Sequence, residues 1–153
     1  MRTHHVRIAA LASAMFTVMS CTSILGPEEQ LAGARMKWAR NAPSAYSMTI
    51  FRGCECLADA VGPVTVTVIN GAISAHYTTT GAAVPKNVAA LFPDVEGLFN
   101  LIETAQAQHY YKFDVEYDAE LGLPTKISID QVKEMVDDES FTTVTDFNTG
   151  FEG

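Results

Sequence analysis

Apolar and polar residues alternate through much of the chain, with the period of a strand that buries one face. Tyr46, Met48 and Ile50 alternate with Ser47 and Thr49, which predicts a strand from Ala45 towards Cys54. Val64, Val66 and Val68 alternate with Thr65 and Thr67 in the same way. The next dipeptide, Asn70-Gly71, is the strongest short hairpin signal, because both central residues of the tightest turn need positive φ. A two-residue turn there pairs Val68 with Ile73, Val66 with Ala75 and Val64 with Tyr77, so all six side chains share one face. Thr65, Thr67, Ser74 and His76 take the other face. The stretch from Tyr46 to Tyr77 therefore organises the domain.

Two segments change to the helical period. Pro27 suits a first helical position, with Glu28 and Glu29 at the positive end. Leu31, Ala34 and Trp38 then form a narrow apolar stripe, and Asn41-Ala42-Pro43 ends the helix. Asp94 can cap a second helix that carries Val95, Leu98, Phe99, Ile102 and Ala105 or Gln106. Between Thr78 and Phe92 no period holds, and Gly81 and Pro85 interrupt it. That segment is a crossover loop with a helical turn near Val88 to Leu91, and its length also makes it a candidate binding loop.

Alternation returns after the second helix. Phe113, Val115 and Tyr117 face in, while Asp114, Glu116 and Asp118 face out. After a turn at Ala119–Gly122, Thr125, Ile127 and Ile129 face in and Lys126 can pair with the outward acids. Gln131 to Glu139 reads as an acidic loop. Ser140 to Phe147 is a last strand of mixed pattern, which predicts an edge position. The order is helix, three strands, helix, three strands. The fold class is α+β: an antiparallel sheet of about six strands with helices packed on one face.

The first residues alter this picture. Arg2 and Arg7 precede an apolar run from Ile8 to Met19, a pattern of a secretory leader. The run is too short for a comfortable membrane span. Val18-Met19-Ser20 leads to Cys21, and this junction resembles the lipobox of bacterial lipoproteins, with Met19 a departure from the commonest residue at its place. The resemblance implies a leader at residues 1–20, a lipid on Cys21 and a tether at residues 21–26. If the cell is Gram-negative, Thr22 in place of an Asp points by the same resemblance to the outer membrane, facing the periplasm. A single domain then spans residues 27–148, with a frayed tail at 149–153.

The mature chain would carry 18 acidic against eight basic residues, a net charge of −10. No basic cluster is available for a nucleic-acid groove, and anionic headgroups would repel the surface. The membrane is reached instead through the anchor on Cys21, with an envelope protein as the expected partner.

With Cys21 lipidated, Cys54 and Cys56 remain, in an oxidising compartment. Three readings stand. The pair forms a structural disulfide, which is the expected state in such a compartment. It acts as a redox couple, although a thioredoxin-type pair has two intervening residues. It captures a soft metal, and then His76, His109 or Glu55 has to complete the ligand set.

The acids Asp114, Glu116, Asp118 and Glu120 do not follow the EF-hand pattern, since Ala119 and Thr125 occupy its glycine and glutamate positions. A looser calcium site would have to join Asp118, Glu120 and Asp130 or Asp137. No nucleophile elbow, zinc-protease motif or phosphate loop is present, and the mature chain has only His76 and His109 as histidines. No catalytic residue, metal site or cofactor is assigned.

Trp38, Tyr46, Cys54 and Cys56, the Val64–Gly71 hairpin, Leu98, Phe99 and Ile102, and the run Tyr117, Asp118, Gly122, Pro124, Thr125, Ile127, Ile129 and Asp130 together resemble a family of small bacterial lipoproteins. It is known as domain of unknown function 6174. The likeness covers nearly all of the mature chain, and Leu123 stands where an aromatic is expected. It implies a secreted, lipid-anchored domain and brings no activity with it.

Overall fold

The structure, a computed structural model, describes residues 25–135 and 138–150. The leader, Cys21, Asp137 and the last three residues lie outside that range. Helix α1 (Pro27–Asn41) begins where its proline needs no N–H bond, and Glu29 accepts a hydrogen bond from the Gly26 N–H at 3.1 Å. Strand β1 (Ala45–Gly53) follows, then a 3-10 turn at Ala58–Ala60 and the hairpin of β2 (Val64–Ile69) and β3 (Ala72–Tyr77). The hairpin register is the one that the Asn70-Gly71 turn demands, with Val68 opposite Ile73 and Val64 opposite Tyr77. Asn70 and Gly71 take φ of 50° and 81°.

The crossover carries a single helical turn, α2 (Lys86–Ala89), and leads to α3 (Val95–Ala107). It also protects the β3 edge. The Tyr77 N–H donates to Ala82, and the Val84 N–H donates to Ala75, so the loop satisfies edge groups that would otherwise stand open. At the start of α3 the Asp94 carboxylate accepts from the Gly97 N–H at 2.9 Å. The Tyr46 hydroxyl accepts from the Val95 N–H at 3.3 Å, so β1 helps to cap the helix it packs against.

Strands β4 (Lys112–Tyr117), β5 (Pro124–Asp130) and β6 (Glu139–Asn148) complete one antiparallel sheet in the order β3-β2-β1-β6-β5-β4. Both long helices cover the same face. Val95, Leu98, Phe99 and Ile102 from α3 lie fully buried with Met48, Ile50, Val64 and Val66 from the sheet. Trp38 of α1 closes the layer edge-on against Tyr46, with ring centroids 5.4 Å apart. Burial of Tyr117 on the inner face pushes its phenol up to about 12.

One expectation is overturned. β6 is not an edge strand but lies between β1 and β5 at the centre of the sheet. Its pattern is mixed for a local reason. Thr142 and Val144 point into the core, but Asp146 takes φ of 52° and the register slips, so Phe147 rather than Asp146 turns inward. Phe147 then packs against Trp38 and Tyr46 with centroids 6.0 and 5.5 Å away. A bulge near the end of β6 reverses the alternation there and disguises a central strand.

The strands run between two ends of the domain. One end carries the start of α1, the close of α3, the Cys54–Pro63 segment and the β5–β6 connection. The other carries the Asn41–Ser44 link and the turns at Asn70-Gly71 and Ala119–Gly122.

The bulge makes a direct prediction. Glycine accepts the left-handed conformation of Asp146, so Asp146→Gly should change stability by less than about 1 kcal/mol. Asp146→Val should lower it by about 1–2 kcal/mol, read from urea unfolding midpoints.

Candidate binding surface

Because both long helices sit on one side, the other side of the sheet has no covering element among the described residues. The register lays out its side chains in rows. Thr67 stands between Ser47 and Ser74, and Thr65 between Thr49 and His76. Thr49 lies beside Thr145, and Phe51 beside Thr143. Over β4 and β5 the same surface turns charged. Lys126 pairs with Glu116 at 3.3 Å, as the sequence pattern predicts, and Lys112 pairs with Asp130 at 3.4 Å.

Between the hydroxyl-bearing part and the charged part stand two exposed aromatic rings. Phe51 is 37% and Phe141 44% exposed, with centroids 5.9 Å apart. Phe141 lies flat over Gly53, where any Cβ would overlap its ring. The glycine thus opens a seat for the phenylalanine on the neighbouring strand. Beside Phe141 a recess of about 240 Å³ is lined by Lys112, Asp114, Ser128, Asp130 and Glu139.

The cysteines lie just past Gly53, at the end of β1. The Cys54 and Cys56 sulfurs are at bonding distance and their Cα atoms are 5.3 Å apart. The backbone leaves full extension to achieve this, and the Cys56 N–H donates to the Cys54 carbonyl at 2.9 Å. The loop that follows is held from two sides. Arg52 donates from Nη1 to the Ala60 carbonyl at 2.8 Å, and the Tyr77 hydroxyl donates to the Asp59 carbonyl at 2.9 Å. Burial pushes the Arg52 guanidinium down from its usual value.

The other sequence candidates fall apart in space. Asp118 caps the β4–β5 turn, accepting from the Glu120 and Leu121 N–H groups at 3.0 and 2.6 Å. Asp130 sits at the opposite end of β5 in its pair with Lys112. The looser calcium site is therefore not assembled from Asp118, Glu120 and Asp130, because a strand's length separates them. Among the described residues no three His, Cys, Asp or Glu side chains converge on one point. His76 is on the open face, whereas His109 lies past the end of α3.

His109 borders a cleft of about 580 Å³ between the start of α1 and the close of α3, with Glu29, Gln106, Tyr110 and Phe113. A second cleft of about 410 Å³ adjoins it and includes Arg35 and Glu103. Neither lining includes a serine, threonine or cysteine. Buried Gln106 Nε2 and Arg35 Nε have no hydrogen-bond partner among the described residues.

The arrangement defines a class: a two-layer α+β domain whose sheet is covered on one side and open, with exposed aromatics, on the other. The chain belongs to the Family of unknown function (DUF6174), whose model matches residues 30–149. No curated protein and no solved structure matches it.

The closed ring spans a sequence separation of only two residues, and Arg52 and Tyr77 already hold the loop. Reduction should therefore lower stability by no more than about 2 kcal/mol, on a loop-entropy basis. Urea unfolding with and without reductant measures this, and Arg52→Ala should make the reduced protein markedly more sensitive.

Proposed function

We propose that this protein is a non-enzymatic binding domain of the bacterial cell envelope, exported and held at the membrane by a lipid on Cys21. It presents the open face of its sheet to an envelope protein. The observation that carries this reading is the pair Phe51 and Phe141, exposed on the sheet face that no described residue covers. Adjacent aromatic rings framed by hydroxyls have the make-up of an interface centre with a polar surround. The acidic balance and the lipobox-like junction at Cys21 support the envelope setting. The rival reading, a thiol-redox or soft-metal-handling protein, draws on the exposure of the Cys56 segment.

A photo-crosslinking side chain at Thr145, on the open face, should capture one defined protein in intact cells, whereas one at Glu120 should not. Capture should be lost in the Phe51→Ser, Phe141→Ser variant. Equal capture from both positions, or capture that survives the double substitution, would refute the docking face. Thiols that glutathione reduces readily and that take up copper or zinc stoichiometrically would favour the rival.

A further inference from the structure

The large exposed apolar side chains are not spread evenly. Leu25, Leu57, Tyr111, Val132 and Met135 all belong to the end of the domain where α1 starts, and Leu57 and Met135 are 79% and 58% exposed. Leu57 follows the disulfide loop, Tyr111 precedes β4, and Val132 and Met135 lie between β5 and β6. The opposite end carries Asn41, Asn70, Glu120 and Asn148, and its large exposed apolar side chains are the two isoleucines beside the hairpin turn, Ile69 and Ile73, 41% and 51% exposed.

Two lysines flank the aromatic member of this group. Lys112 Nζ lies 5.2 Å and Lys133 Nζ 5.8 Å from the Tyr111 ring centroid. A tyrosine beside lysines, with aliphatic side chains around it, is the chemistry of a bilayer interface: apolar bodies reach the acyl boundary while polar tips remain among headgroups. The same end is where the chain would meet the membrane. From Cys21 to Leu25 is four residues, a reach of at most about 14 Å when fully extended.

We infer that the domain rests on the membrane by this end, with Leu57, Tyr111, Val132 and Met135 in the headgroup layer of a zwitterionic lipid surface. The inference rests on the anchored reading of Cys21. Charge selects the lipid. The exposed acids Glu28, Glu29, Glu134 and Glu139 outnumber Lys112 and Lys133 at this end, so an anionic surface would repel it. Contact of the apolar end adds a second, weak attachment to the acyl chains and fixes which way the domain stands. The open sheet face then lies along the membrane normal, accessible from the side.

The test uses the full acylated chain in phosphatidylcholine nanodiscs doped with a gadolinium-chelating lipid. Amides of Glu55, Leu57, Tyr111 and Val132 should relax severalfold faster than those of Asn70, Gly71 and Glu120. Equal enhancement at both ends, or a reversed gradient, overturns the orientation while the anchor stands. Mass spectrometry that finds no acyl group on Cys21 overturns the anchor and the orientation together. The acylated triple variant Leu57→Ser, Tyr111→Ser, Met135→Ser should keep its amide shifts elsewhere and show a clearly shallower gradient, the remainder being due to the tether. A gradient as steep as that of the unsubstituted protein overturns the role of these side chains. Anionic lipid should flatten the gradient, and a steeper one overturns the choice of lipid.

Discussion

Burial of a single face of the sheet is the constraint on which the rest depends. Each strand of β1 and β2 sends every second side chain into the layer beneath α1 and α3, where Met48, Ile50, Val64 and Val66 are fully enclosed. A side chain such as Met48 or Val66 gives up about 1.5–3 kcal/mol if it is left in water, so a one-residue slip of either strand is strongly opposed. The same constraint leaves the alternate positions facing outward. The exposed face is thus a necessary product of the core rather than a separate feature, and what occupies it is free to serve binding.

The features around that face are tied to the core at a few points. Gly53 ends β1, makes room for the Phe141 ring and precedes the turn that brings Cys54 to Cys56. Arg52, one residue earlier, points to the other side and holds the following loop by the Ala60 carbonyl. Within five residues the chain therefore seats an exposed aromatic, closes a small ring and anchors a connection. The result is a corner, held by these contacts, between the open face and the end of the domain where α1 starts.

Much of this was legible in the residues because the local signals agreed. The Asn70-Gly71 turn and the valine alternation specify one register, and the register is the one observed. Asp94 caps α3, and Lys126 meets Glu116 as their parity requires. Where the reading failed, a non-local or conformational cause was at work. The place of β6 between β1 and β5 was hidden by the positive φ of Asp146, which turns Phe147 inward and breaks the alternation. Phe141 was not singled out, because its seat depends on Gly53, a residue far away in sequence. Phe51 did leave a signal: it shares parity with Ser47 and Thr49, and an aromatic at an outward position of a regular strand marks an apolar point on the exposed face. The cleft around Gln106 and His109 depends on how α1 crosses α3, which no local pattern reports.

The central claim is that the open face, exposed in the isolated protein, is covered in its native setting. Hydroxyl-radical footprinting of Phe51 and Phe141, on the purified chain and in intact envelope membranes, tests it most directly. The account predicts heavy oxidation of both rings in the purified protein and strong protection in the membranes, while exposed Met36 on α1 is oxidised alike in both. Equal oxidation of the two phenylalanines in both settings would contradict it.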